Sequence, residues 1–320
     1  MQRTRRVFVA IVMIAWAAAG CAGKAATTPA TAPATTPPPK PPLCGMGIAF
    51  SPSQPVGERS LPASYWFALL LYGYQPTGAI TRPATDCSSR RIDWLADRCS
   101  SGFGPAAPLA TQSVGPADLI VENLGGAWRL VWAITDRFAD GQAEGVVAMA
   151  QFEAQGVRVE ALGVLRAHPL QARLRLAKVG GGTVLVAEGE TCAVPRELST
   201  CSRTVRLVPL VGNRFIPADL SSDIAGNCVS SSLLLLKSQG TIGKGRGRKN
   251  YQFESALTYG VDAVAVHEQL TVEERARDGT DGTFLRRVQG ERRVRLLGGA
   301  LLTTGPSILD QWMRGQQRGD

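Results

Sequence analysis

Few side chains in this 320-residue chain have the type and spacing of a catalytic site. Glu188 and Glu190 are separated by one residue, and in a β-strand such side chains project from the same face. Two neighbouring carboxylates are the groups that glycoside hydrolysis requires. His267 and Glu268 begin like the helix of a zinc protease, but the second histidine of that motif is missing. A hydrolase therefore stays an alternative, and the sequence favours a protein without catalytic activity.

The remaining motifs that could do chemistry are incomplete. His168 precedes Pro169 and is expected in a turn, because a residue before proline avoids the helical region. The chain has no Gly-x-Ser-x-Gly, no Ser-x-x-Lys and no phosphate-binding Gly-x-x-x-x-Gly-Lys-Ser/Thr sequence. Asp278 and Asp281 lack the terminal glutamate of a calcium loop, so their segment is interpreted as a hairpin turn. We predict no catalytic residue, no cofactor site and no metal site.

Cysteine is the other reactive residue type in the chain. Apart from Cys21, the cysteines form an even set: Cys44, Cys87, Cys99, Cys192, Cys201 and Cys228. An even set in an exported chain favours three disulfides, and no pair has the Cys-x-x-Cys spacing of zinc ligands. Many pairings are compatible with six cysteines. Proximity in the sequence suggests Cys87 with Cys99, Cys192 with Cys201, and Cys44 with Cys228.

The N-terminal residues have the layout of an export signal. Arginines cluster within the first six residues, and residues 7–19 form an apolar run shorter than the ~20 residues of a spanning helix. The sequence Ala18-Ala19-Gly20-Cys21 follows. This pattern resembles the signal peptide and lipobox of bacterial lipoproteins, which implies cleavage before Cys21 and lipidation of that cysteine. Cleavage of an ordinary secretory signal at Ala17-Ala18-Ala19 is the alternative.

A tether is expected between the lipidated cysteine and the folded body. Residues 22–42 are mostly Ala, Thr and Pro, a composition that buries little and favours the extended polyproline form. Ala22 stands where similar lipoproteins of the inner membrane usually have aspartate, so the resemblance implies the outer membrane, facing the periplasm or the cell surface. We predict a signal peptide over 1–20, the lipidated cysteine and tether over 21–42, and a single β-rich domain over 43–320, less regular up to about residue 126.

The elements of that domain are expected to be mainly β. Apolar residues alternate in period two from Trp128 onward, with turn signals at 140–141, 180–182, 212–213 and 278–282. Short helices are predicted at 91–99, 116–124 and 306–316, and residues 65–74 form a strand or a buried helix. The resulting fold class is an antiparallel meander that forms a sandwich or a partly open barrel, with a few short helices.

The basic residues have both a structural and a binding interpretation. If the hairpin around 278–282 closes symmetrically, cross-strand ion pairs form between Glu268 and Arg292, Glu273 and Arg287, and Glu274 and Arg286. The run left over, an anion-binding candidate, comprises Lys244, Arg246, Arg248 and Lys249. It could meet phosphates of lipopolysaccharide or nucleic acid. No aromatic residue interleaves with these charges, so a solvated loop is favoured and the pattern argues against nucleic acid.

Three function classes are compatible with these patterns. The preferred one is a membrane-anchored envelope lipoprotein with a non-catalytic binding or structural role, whose partners are the membrane, through its lipid, and an envelope protein or polymer. A carrier of lipids or lipoproteins with an open β half-barrel is the first alternative, and it requires an apolar lining left unfilled by side chains. An extracytoplasmic hydrolase is the second.

Overall fold

Strands make up more than half of the residues that the computed structural model describes, which are residues 43–51, 53–96, 99, 108–109, 113–193, 200–242, 248–274 and 283–317. The strands are β1 (Cys44–Gly47), β2 (Pro108–Leu109), β3 (Leu119–Gly125), β4 (Trp128–Phe138), β5 (Ala143–Glu153), β6 (Gly156–Ala167), β7 (Leu170–Val179), β8 (Gly182–Ala193), β9 (Thr200–Val211), β10 (Arg214–Phe215), β11 (Asp219–Ser222), β12 (Cys228–Ser231), β13 (Leu233–Ile242), β14 (Lys249–Tyr259), β15 (Val264–Glu274), β16 (Thr283–Leu297) and β17 (Ala300–Thr303). The α-helices are α1 (Ala63–Leu70) and α2 (Ile308–Gln317). Among the described residues, neither helix is long and apolar enough to cross a membrane.

The seventeen strands join one mixed sheet that is not closed into a barrel. Most strands pair antiparallel with their sequence neighbours, as the meander prediction requires, so the mainly β prediction is confirmed. Two pairings are parallel, β10 with β6 and β11 with β17. β9 also pairs with β13, although the short strands β10 to β12 lie between the two in the sequence. These contacts make the sheet more than a simple meander.

The central strands are buried on both faces. In β8, Leu185 and Ala187 enter the core shared with β4, β5 and β6, whereas Val184 and Val186 enter a core shared with β13 to β17. Because successive side chains of a strand project to opposite faces, each apolar run in this region serves two cores. The sheet therefore folds over itself into layers, with α1 packed on one outer face and α2 on another.

The predicted helices have mixed outcomes. The C-terminal helix is confirmed as α2, and residues 65–74 contribute to α1 rather than to a strand. The prediction of a helix at 91–99 is wrong, because residues 92–96 have no regular structure and Trp94 packs into the core beside Trp132. The prediction at 116–124 is also wrong beyond a 3-10 turn, Pro116–Asp118, because the following residues pair with β4 as β3.

Three disulfides join the six cysteines of the described residues, as the cysteine count predicts. Cys192 bonds to Cys201, with Cα atoms 4.0 Å apart on the paired strands β8 and β9, which confirms that pairing. The other two predicted pairings are wrong: Cys44 bonds to Cys87 and Cys99 bonds to Cys228. Cys87 and Cys99 are close in the sequence, but each end of the segment between them is bonded to a different strand.

The β15–β16 hairpin corrects the predicted register by two residues. Val264 lies opposite Val294 and Glu268 lies opposite Gly290. A shift of two residues keeps each side chain on its face, so Glu268 still reaches Arg292 diagonally, with Nε donating to Oε1 at 2.9 Å. The other two predicted pairs do not form, because Glu273 faces Phe284 and Glu274 faces Thr283 after a bulge.

Candidate functional site

Among the described residues, a cleft of about 590 Å³ lies between the 86–96 segment and the residues around β10. Its size falls in the range of small-molecule sites, which are apolar with a few placed polar groups. The exposed Leu95 forms one side, and Val164 with residues 215–218 forms the other. At the base of the cleft, Gly163 lies so close to the Phe215 carbonyl that a Cβ would collide with it.

A turn closed by Asp86 forms the polar end of the cleft. The Asp86 Oδ1 accepts the Ser88 N–H at 2.8 Å, the Ser88 hydroxyl at 2.7 Å and the Arg90 N–H at 2.9 Å. Aspartate favours such turns because its side chain binds the backbone two residues on. Arg214, on β10, donates to Asp86 Oδ2 at 3.2 Å and to Ser88 Oγ at 2.8 Å. The turn is thereby joined to the main sheet.

The charges at this end are arranged asymmetrically. Asp86 is 5 % exposed and accepts hydrogen bonds on both oxygens, so its charge is already compensated. Arg90 and Arg91 are exposed on the cleft rim, and Arg91 is 3.9 Å from Asp93. Within the described chain, the Arg90 guanidinium has no ion pair. The cleft lining therefore combines an apolar wall with three aspartates and three arginines, and Arg90 is the arginine whose guanidinium is left to bind an anionic group.

Two disulfides hold the cleft segment. Cys87 is bonded to Cys44 on β1, which pairs with β6, and Cys99 is bonded to Cys228 on β12. The segment between them has little regular structure, and the two bonds fix its ends to separate parts of the sheet. Because the wall is held in place without a ligand, a ligand would meet a largely preformed site.

The predicted acid pair lies elsewhere, and one of its members, Glu188, is engaged in ion pairs. Glu188 is 3.4 Å from Arg175 and 2.8 Å from Arg203. Glu190 lies opposite Arg203 in the β8–β9 ladder, and both glutamates line a second depression of about 500 Å³ outside the cleft. Because two arginines neutralise Glu188, a structural role is favoured for this residue.

The two histidines are in different surroundings. His267 is exposed on β15 with Nδ1 3.5 Å from Glu291. His168 is buried at 5 % exposure, with Nδ1 2.8 Å from the Thr204 hydroxyl. Burial lowers the pKa of His168, and nearby arginines, including Arg206, act in the same direction. The structure does not bring the two histidines together.

Sequence analysis missed a buried carboxyl group near the cleft. Glu144, on β5, is 8 % exposed, and burial raises its pKa to about 7. Asp136 and Asp93 also raise this pKa, whereas Arg166 and the Trp94 backbone N–H lower it. Asp93 lines the cleft, so Glu144 lies close behind its wall. Glu144 can therefore exchange a proton near neutral pH, although it is not open to a substrate.

The remaining predicted site residues contribute little geometry. Cys21, Lys244 and Arg246 lie outside the described residues. Arg248 is exposed, and the Lys249 ammonium donates to Gln316 Oε1 on α2 at 2.8 Å.

Two groups of potential metal ligands occur in the described part of the chain. One contains Cys99 and Cys228 and the other Cys192 and Cys201. These cysteines cannot supply thiolates while their disulfides are intact, so neither group supports a metal site.

The sequence predictions named none of the residues that line the cleft, Asp86 and Arg214 among them. The turn propensity of Asp86-Cys87-Ser88 was a usable signal, but Arg214 is 128 residues away and no local pattern joins the two. Comparison of the chain with family models, with curated protein sequences and with solved structures gave no match.

Proposed function

We propose that this protein is an exported, membrane-anchored lipoprotein of the cell envelope whose β-rich body has a non-catalytic binding role. Lipidation of Cys21 attaches the chain to the outer membrane, and the tether over 22–42 joins the lipid to the body. The observation that carries the binding role is the cleft between the 86–96 segment and β10. Its ligand is a molecule or an exposed group with an apolar part and a negative charge.

The geometry of the core supports binding at this cleft more than it supports a carrier. A carrier requires an unfilled apolar lining, whereas the space between β4–β6 and β7–β9 holds Trp132, Leu165 and Leu185, each with no measurable exposure. The cleft is smaller than the unfilled lining that a carrier requires, and charged residues lie at one end of it. The ion pairs of Glu188 favour binding over hydrolysis.

Binding at the cleft is tested with anilinonaphthalene sulfonate, an apolar ring system with one negative charge. We expect its fluorescence to increase with the wild-type protein. Ile216→Asp should abolish the increase, because it places a carboxylate on the apolar wall. Val121→Asp is the matched control: Val121 is 41 % exposed on β3, outside the cleft, and Ile216 is 40 % exposed. Equal fluorescence of the two variants would refute the cleft as the site.

Anchoring is tested independently by metabolic labelling with a radiolabelled fatty acid. The wild-type chain should incorporate label and sediment with membranes, and Cys21→Ala should do neither. An unlabelled wild-type chain would end the lipoprotein proposal and leave the result on the cleft unaffected.

A further inference from the structure

Four turns of the described chain meet at one end of the molecule. They cover residues 179–182, 211–213, 260–263 and 297–300. The Gly180 N–H donates to the Val261 carbonyl at 2.7 Å, which joins the β7–β8 turn to the β14–β15 turn. A Cβ on Gly180 would lie 2.7 Å from the Leu296 carbonyl, and one on Gly299 would lie 2.7 Å from a methyl of Val211. The four turns therefore form one continuous surface, which we call the neutral tip.

The neutral tip is apolar and almost uncharged. Val261 is 84 % exposed, Leu297 is 69 % exposed and Val211 is 40 % exposed. The other residues of the four turns are Gly, Ala, Val and Asn, with Asp262 as the one ionisable side chain. Scattered exposed aliphatic residues are ordinary, but these three differ from scattered ones because they lie on adjoining turns that carry little charge.

The described chain begins beside this tip. Leu43 donates its N–H to the Val159 carbonyl on β6, and the Leu162 N–H donates to the Asn213 carbonyl in the β9–β10 turn. Cys44 and Arg214 are paired with positions three residues apart on β6, which is about 10 Å along a strand. Since β1 runs antiparallel to β6, Leu43 lies on the side of Cys44 that is nearer to the 211–213 turn. The first residues of the described body, Leu43 and Cys44, therefore lie next to the neutral tip.

We propose that the neutral tip is a lipid-contacting surface that inserts Val211, Val261 and Leu297 into the membrane to which Cys21 is attached. The inference rests on the proposed anchoring. A lipid chain and a shallow apolar contact are two membrane signals, and two signals together hold a protein at a bilayer more stably than one. Attachment beside the tip raises the effective concentration of the tip at the membrane. The body then lies against the bilayer with a fixed end towards it.

The test places a tryptophan in the tip of the full-length lipoprotein, which is reconstituted into phosphatidylcholine vesicles with or without brominated acyl chains. Bromine quenches only a tryptophan that reaches the acyl region. Val261→Trp should add fluorescence that is blue-shifted and lost in the brominated vesicles. Ile224→Trp is the control, since Ile224 is 92 % exposed and follows β11, where Ser222 pairs with Thr303 at the other end of β17 from residue 300. Its added fluorescence should be the same in both vesicles.

The outcomes separate the tip from the anchor. Vesicle flotation reports the anchor, and quenching reports the tip. A chain that floats without quenching of Val261→Trp overturns the tip and leaves the anchor. Quenching of Val261→Trp in the Cys21→Ala chain at excess lipid supports the tip even if the anchor fails. If the chain does not float and Val261→Trp is not quenched, both proposals are overturned.

Self-association is the competing use of an apolar tip. If sedimentation shows a dimer that Val211→Asp, Val261→Asp and Leu297→Asp together abolish, and vesicles do not quench, the tip is a contact between copies and the lipid proposal is wrong.

Discussion

The ion pair under helix α2 is expected to be a major contributor to stability. Glu268 and Arg292 have side chains 2 % and 8 % exposed, with the Arg292 Nε 2.9 Å from Glu268 Oε1. The second oxygen, Oε2, accepts the Ile308 N–H at the start of α2 at 2.8 Å. Gly290, opposite Glu268, provides the space that Ile308 fills. One carboxylate therefore joins two strands and a helix.

Replacing Glu268 with glutamine keeps an oxygen for the Ile308 N–H and removes the charge that compensates Arg292. Within the described chain, the Arg292 Nη1 already makes no hydrogen bond. Removing one partner of a buried pair costs about 3 to 5 kcal/mol because the other charge stays buried. Asp310 lies close enough to Arg292 to compensate part of that charge. We therefore expect Glu268→Gln to lower the free energy of unfolding by about 3 kcal/mol.

Urea unfolding at pH 7, followed by circular dichroism and by tryptophan fluorescence, measures this loss. Glu291→Gln is the matched control, because Glu291 is on the outer face of β16 with a side chain 43 % exposed, and its ion pairs should contribute less than about 0.5 kcal/mol. The double variant Glu268→Leu/Arg292→Met should recover most of the loss, since apolar replacement of a buried pair is often neutral. The reasoning is refuted if Glu268→Gln and Glu291→Gln unfold at the same urea concentration.

Two further predictions concern the buried end of the β4–β9 core. Because burial raises the pKa of Glu144 from 4.5 to about 7, the stability that this group contributes is complete below pH 4.5 and is lost as pH rises through 7. Glu144→Gln should therefore be neutral at pH 4 and stabilising by about 2 to 3 kcal/mol at pH 8, and a pH-independent difference in thermal unfolding would contradict this. Gly189→Ala should destabilise the fold by about 2 kcal/mol or more, because the new Cβ would collide with the His168 carbonyl. Gly115→Ala is the control, since a Cβ there would have no atom within 4 Å and should leave stability unchanged. Equal melting temperatures of the two variants would contradict the prediction.

The strands were predictable because their physical cause is local. Period-two alternation and the Gly180-Gly181 turn specify where a strand begins and ends, and both glycines adopt the positive φ that a tight hairpin turn needs. The layering was not predictable from the sequence. Apolar runs such as Leu130–Ile134 face two cores, so they lack the alternating polar residues that would mark a solvent-exposed face. A strand that is buried on both faces looks like a continuous apolar run.

The hairpin register shows where local reasoning ends. Symmetric closure around 278–282 placed Glu268 opposite Arg292, and the prediction that the two side chains share one face of the hairpin was correct. A bulge between Val272 and Glu273 shifts the far end of the ladder, so Glu273 meets Phe284. A bulge adds one residue to one strand, and the charges alone do not specify where it occurs. The contribution of α2, which buries the surviving pair, lies outside any two-strand model.

The two disulfides that the sequence did not predict hold the wall of the candidate cleft. A bond between Cys87 and Cys99 would have closed a small loop on itself and provided no covalent link to the sheet. The observed bonds span 43 and 129 residues and connect the segment to β1 and β12. In the chain-entropy model, longer loops restrict the unfolded chain more, so these bonds stabilise the fold more than a local one would. They also explain how a segment with little regular structure keeps Leu95 and Asp93 in place. Reduction of the disulfides should therefore impair the cleft before it impairs the paired strands of the central sheet, which are held by their own ladders and by two apolar cores.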